Sequence, residues 1–309
     1  MPTPRRCIVD EDAVGTYHCI SRCVRGAMLC GKGKEHRRGW IEDRMAELQS
    51  AMAIDATAWC VLSNHMHLVV TTRPDLVRSW SDREAARRYL RMCPGRWKRK
   101  RKGIPVDGPP TEEEIEEILE IPGRLGVIRK RLSSLSWFMA KLKESVARRA
   151  NLEDGCRGHF WEQRFRSIRI LDRTGLLATT TYVDLNAVRA GMVDRPEDTP
   201  NGSIAERIRM LLGLPQRTRI RLEPAPFDDE AGYVAHVDAW GRTLRRDKHA
   251  IPPELPPVLE RLGLGRQRWL DLLRRGWDEL RGTVLGTPES RRQEATRRGG
   301  RWVIDLTAR

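Results

Sequence analysis

The chain has 309 residues, a net charge of +15 and a pI of about 10.1. That length suits one large domain or two smaller ones. No run of about 18 apolar residues occurs, which argues against a membrane-spanning helix, and residues 1–6 lack the apolar core of a signal peptide. The expected setting is the cytoplasm, with association to the nucleoid if the source is bacterial. Seven scattered cysteines, an odd number, argue against a disulfide framework. The positive charge is mostly arginine and runs through the whole chain. It points to an anionic polymer, nucleic acid rather than membrane, as partner.

Residues 15–24 read as a first strand, and 26–39 as a loop rich in glycine and charge. Ile41, Met45, Leu48 and Met52 recur at helical spacing, so a first amphipathic helix spans about 40–54. Residues 58–70 hold two β-prone runs around Ser63-Asn64 and read as a hairpin. Side chains alternate on a strand, so His65 and His67 share one face with Cα atoms roughly 6–7 Å apart, while Met66 packs into the other. Two imidazoles so placed can converge on one divalent cation. Taken alone, the pair is equally two histidines on a half-wet strand.

The stretch from about 73 to 131 breaks the pattern and reads as a helical insertion. It contains the basic run Arg96-Trp97-Lys98-Arg99-Lys100-Arg101-Lys102, then an acidic helix from Glu112 that Thr111 and Glu114 cap as a box. The run can lie along phosphates with Trp97 on a base, or pair with the acidic helix. Residues 132–150 form a second amphipathic helix, 165–171 a fourth strand, and 174–190 a third helix closed by Gly191. The order strand-helix-strand-strand-helix-strand is the split βαβ, ferredoxin-like arrangement of the α+β class, an antiparallel sheet with helices on one face. Residues 1–205 form the expected catalytic domain. Residues 206–309 form a helical accessory region, with a proline-rich linker at 251–257 and an apolar stripe through Trp269, Leu273 and Trp277.

Tyr182 and Asn186 lie four residues apart on the third helix and share a face. Beside His65 and His67 they would complete a site of two imidazoles, an amide oxygen and a phenol, suited to phosphodiester cleavage with the phenol as nucleophile. Arg189 lies close in sequence.

The stretch Tyr182-Val183-Asp184-Leu185-Asn186-Ala187-Val188-Arg189-Ala190-Gly191 resembles the signature helix of the REP-associated tyrosine transposases, members of the HUH single-tyrosine transposases. His65-Met66-His67 resembles their HUH motif, and Trp59-Cys60-Val61-Leu62-Ser63-Asn64 their approach to it. Gly158-His159-Phe160-Trp161-Glu162-Gln163-Arg164-Phe165 is similar to their Trp-Gln-Arg-Phe region with a Glu inserted. The resemblance covers roughly residues 13–205. It implies that Tyr182 attacks single-stranded or hairpin DNA, leaving a 5′-phosphotyrosine link and a free 3′-OH, and that strands are then rejoined. It implies His65, His67 and Asn186 as ligands of Mg²⁺ or Mn²⁺. With the charge pattern it marks the basic run from Arg96 to Lys102, Arg164 and Arg189 as DNA-binding. Ala187, where many members have proline, the insertion and the C-terminal hundred residues depart from the family. Members are dimers or monomers, so oligomeric state stays open. Two other classes share these features: a non-catalytic, sequence-specific DNA-binding protein derived from a transposase, and a metal-dependent nuclease that uses water.

Overall fold

A computed structural model describes residues 8–93, 102, 103, 105, 108–243 and 248–261, with the backbone at 284–285, 293 and 296. The basic run at 96–101 and the apolar stripe at 269–280 lie outside the described residues. Four strands, Gly15–Arg22 (β1), Ile54–Val61 (β2), His65–Thr72 (β3) and Arg166–Ile170 (β4), pair antiparallel. Their order is β2-β3-β1-β4, with Val284–Leu285 (β5) added in parallel outside β4. This is the ferredoxin-like order expected from the sequence, and it puts β1 and β3 at the centre.

The crossover helices His36–Ala51 (α1) and, beyond the insertion, a long helix at Leu135–Glu153 pack against each other on one face of the sheet. Ile41, Met45 and Leu48 meet Phe138, Met139 and Leu142 there, over Tyr17, Cys19, Met66, Leu68 and Val70 from the central strands. The insertion supplies Pro74–Ser79 (α2), Asp82–Met92 (α3), Glu112–Leu119 (α4) and Arg124–Leu132 (α5); the long crossover helix is then α6. It extends the same core: α3 packs on α1, and Ala85, Tyr89, Ile115 and Ile128 are buried with it. The capping box forms as expected, with Glu114 N donating to Thr111 Oγ1 at 3.2 Å and Thr111 N to Glu114 Oε2 at 2.9 Å.

The helices do not stay on one face. Arg173–Asp184 (α7) and the short Asn186–Arg189 (α8) cover the opposite side, against β2 and β3. A bulge at Thr57 sets which residues of β2 they meet. Pairing with β3 shifts register between Ala56 and Ala58, which inverts the alternation of β2. Ile54 and Ala56 therefore face α1, whereas Ala58 and Cys60 face α7. With Val69, Ile168 and Ile170 they make a second apolar surface, buried under Val183 and Ala187. A sheet apolar on both faces needs helices on both. The helix pair ends in a Schellman turn, with Gly191 at φ 65°, Gly191 N on Val188 O at 2.8 Å and Met192 N on Ala187 O at 3.0 Å.

The expected boundary near residue 205 does not separate two bodies among the described residues. Ser203–Leu211 (α9) packs onto β2, Glu230–Gly241 (α10) onto α9 and the back of α7, and Val258–Arg261 (α11) onto α10. Tyr233, Val234 and Val237 share a core with Leu185, Ile204 and Ile208. A polar network locks the joint. Arg207, fully buried, donates to both Glu230 carboxylate oxygens at 2.8 Å, to Thr57 O at 2.6 Å and to Glu223 O at 3.0 Å. Asp184 accepts from Tyr233 Oη at 2.7 Å and from Ser203 Oγ, and Trp59 N donates to Ser203 Oγ at 2.9 Å. Thr57 has a bare carbonyl because it bulges out of the ladder, and the C-terminal region supplies its partner.

Candidate active site

His65 and His67 lie on one face of β3, toward α7, with ring centroids 5.0 Å apart. Met66 is buried on the other face. Tyr182 comes down from α7 with its ring 5.5 Å from that of His67, edge to face. The histidine pair and the tyrosine, distant in sequence, are therefore brought together.

A third histidine joins them. His18 on β1 pairs with Val69 in register and with Ile168 on β4. Its Nε2 lies 2.9 Å from His67 Nδ1, and its ring is 6.0 Å from Tyr182. Sequence reasoning missed it. The alternation of Thr16, His18, Ile20 and Arg22 against Tyr17, Cys19 and Ser21 was the available signal, but only the β1–β3 register says which strand His18 meets.

The second ring nitrogens are held in an orderly way. His65 Nδ1 donates to Asn64 Oδ1 at 2.6 Å, and Asn64 Nδ2 donates to Gly26 O at 3.1 Å. His67 Nδ1 is hydrogen-bonded to His18 Nε2, so each motif histidine has Nδ1 engaged and Nε2 as its remaining ring nitrogen. Fixing Nδ1 by an outer partner is how metal-binding histidines are usually oriented. The hairpin turn that carries Asn64 is itself clamped: Cys23 N donates to Asn64 O at 2.7 Å and Cys30 N to Ser63 O at 2.8 Å. Burial drives His65 down to about 4 and His18 to about 3, helped by Arg22 and Lys248 for His65 and by Arg166 for His18. His67 is also pushed well below the ordinary histidine range, by burial first and then by its neighbours. All three rings are neutral at pH 7, the form that ligates cations.

The remaining expected residues divide. Asn186 sits one turn after Tyr182, but its Nδ2 donates to Tyr182 O at 3.1 Å. That bond orients the side chain along the helix and leaves Oδ1 as its remaining polar atom. Arg189 does a different job from the one expected. Its guanidinium donates to Trp240 O at 2.7 Å, Thr243 O at 2.9 Å and His249 O at 3.1 Å, so it caps the C-terminal end of α10. Arg164 is exposed beside the site's entrance strand. The stretch around it does structural work: Val24 N donates to Phe160 O at 3.0 Å and Glu162 N to Arg22 O at 2.9 Å, prolonging the sheet past the end of β1. Of the basic run only Lys102 is described, and it bonds Glu113 and Glu117 of α4 at 2.8 and 2.6 Å. There the pairing alternative holds rather than a free phosphate contact. Among the described residues, no helix is long and apolar enough to cross a membrane.

No family model and no curated protein matches the chain. Among solved structures it is similar to that of a REP-associated tyrosine transposase bound to a REP hairpin. The identity is 15% and the TM-score 0.37, over 73% of this chain and 93% of that one. At that level the likeness adds nothing to what sheet order and register establish by themselves.

Proposed function

We propose that the protein is a DNA strand-cleaving and strand-transferring enzyme of the HUH single-tyrosine kind, acting on single-stranded or hairpin DNA. The observation that carries this reading is the meeting of Tyr182 with His65 and His67 on one face of the sheet, with both motif histidines oriented through Nδ1. In this mechanism Tyr182 Oη attacks the scissile phosphorus. The P–O3′ bond breaks, the phosphoryl group stays on the tyrosine, and the 3′-oxygen leaves and takes up a proton. Attack by another 3′-OH reverses the step without an external energy source. His65 and His67 would hold the ion through Nε2, with Asn186 Oδ1 the third candidate. Two imidazoles suit Mn²⁺ better than Mg²⁺, which prefers an all-oxygen shell. When bound, the ion supplies Lewis-acid polarisation of the phosphate.

Tyr182→Phe tests the reading, because it keeps the ring and removes the hydroxyl. The variant should bind hairpin DNA about as well as the parent and form no DNA adduct that survives a denaturing gel. Persistent adduct formation would move the nucleophile elsewhere. Retained binding with no cleavage by the parent chain either would favour the non-catalytic DNA-binding alternative. The turn of Asn186 Nδ2 toward Tyr182 O is the observation on that side.

A further inference from the structure

Register defines what else stands on the face of the sheet that carries the histidines. Antiparallel partners point the same way, so Arg22 faces out beside His65, its direct partner across β1 and β3. One row further in, His67, Ile20 and Arg166 line up across β3, β1 and β4. Arg166 is thus two strands from His67, about 10 Å between Cα atoms, with Ile20 half-buried between them. Both arginines are exposed. Arg22 is held firmly despite ending its strand: Glu162 N donates to its carbonyl at 2.9 Å, and the next residue, Cys23, donates to Asn64 O at 2.7 Å.

Several arginines elsewhere in the chain are ion-paired. Arg37 pairs with Glu153 and Asp154, Arg73 with Asp55 and Asp75, and Arg261 with Glu197 and Asp238. Arg22 and Arg166 have no ion pair among the described residues. Asp184, on the helix above the site, turns away to Ser203 and Tyr233. Two exposed guanidinium groups beside a row of imidazole rings on one sheet face call for an anion with several oxygens.

We propose that Arg22 and Arg166 form a phosphate subsite that seats one phosphodiester of the DNA strand over His65 and His67, with Ile20 as the apolar floor for the adjoining sugar. This rests on the reading of the site as one that cleaves DNA. The test titrates inorganic phosphate into the full-length protein at ionic strength held constant with chloride, following the ring signals of His65 and His67 by NMR. The parent should show a saturable shift. Arg22→Gln/Arg166→Gln should weaken it by about tenfold or more, the loss expected of charge-assisted hydrogen bonds, and Arg22→Lys/Arg166→Lys should recover part. Both side chains are exposed, so the melting temperature should stay put; the single variant Arg166→Gln, with half the loss, serves if the double variant melts early. An unsaturable shift in the parent, or equal affinity in the glutamine variants, overturns the subsite. A parallel adduct assay on single-stranded DNA separates the two readings. Phosphate binding that depends on the arginines, in a parent that forms no adduct, sinks the cleavage reading and keeps the subsite. Adducts formed by the double variant at the parent's KM sink the subsite and keep the cleavage reading.

Discussion

The two faces of the sheet use the same strands to opposite ends. On the α1/α6 side, β1 and β3 offer Tyr17, Cys19, Met66, Leu68 and Val70, all essentially buried against hydrocarbon. On the α7 side the alternate residues are His18, His65, His67 and Arg22, and the cover is a helix with a tyrosine in front and a buried Asp184 behind. The first face is apolar throughout. The second mixes an apolar patch with polar groups that are unfavourable to bury unless each has a partner. Strand parity thus separates a uniform core from a mixed one.

The largest expected effect falls on the polar side. Arg207→Met should destabilise the protein by about 3–5 kcal/mol, because it leaves Glu230 without its buried partner and two carbonyls without donors. Urea denaturation measures this; a loss under about 1 kcal/mol would mean the network is replaceable. Next comes the apolar side. Leu68→Ala should cost about 2–5 kcal/mol and leave Mn²⁺ affinity, read by isothermal titration, unchanged. A matching loss of metal binding would show that the faces are not independent.

Acid sharpens the contrast. His18, His65, His67 and His236 are held neutral with pKa values below their unfolded value, mainly by burial. The stability they contribute is complete above about pH 6.5 and is lost as pH falls, toward about 4 for His65 and His236 and about 3 for His18. Asp184 runs the other way. Burial raises it to about 6, so its contribution is full below the ordinary carboxylate value and lost as pH rises through about 6. Four imidazoles outweigh one carboxylate, and denaturation midpoints of the metal-free protein should drop between pH 6.5 and 4. A flat profile would mean the rings protonate in place. The smallest effect belongs to the insertion: Lys102→Gln should leave the salt slope of DNA binding unchanged, since Lys102 is paired with Glu113 and Glu117.

Much of this was legible in the sequence because it depends on local period. The strand order, the shared face of His65 and His67, the burial of Met66 and the caps at Thr111 and Gly191 all follow from spacing and residue type. What was not legible depends on pairing across long separations. No local signal marks Thr57 as a bulge, yet it decides that Ala58 and Cys60, rather than Trp59 and Val61, face α7. His18, Arg22 and Arg166 enter the site only through register. Arg189 and Arg207 are both arginines with nothing in sequence to distinguish a carbonyl clamp from a DNA contact.

The lock between Thr57 and Arg207 spans 150 positions, and that between Trp59 and Ser203 spans 144. Synthesis runs at roughly 5–20 residues per second, so the hairpin with both motif histidines emerges from the ribosome many seconds before the segment that braces the helix of Tyr182. Contacts of such separation also close slowly. A nascent chain therefore displays its histidines well before Tyr182 is secured.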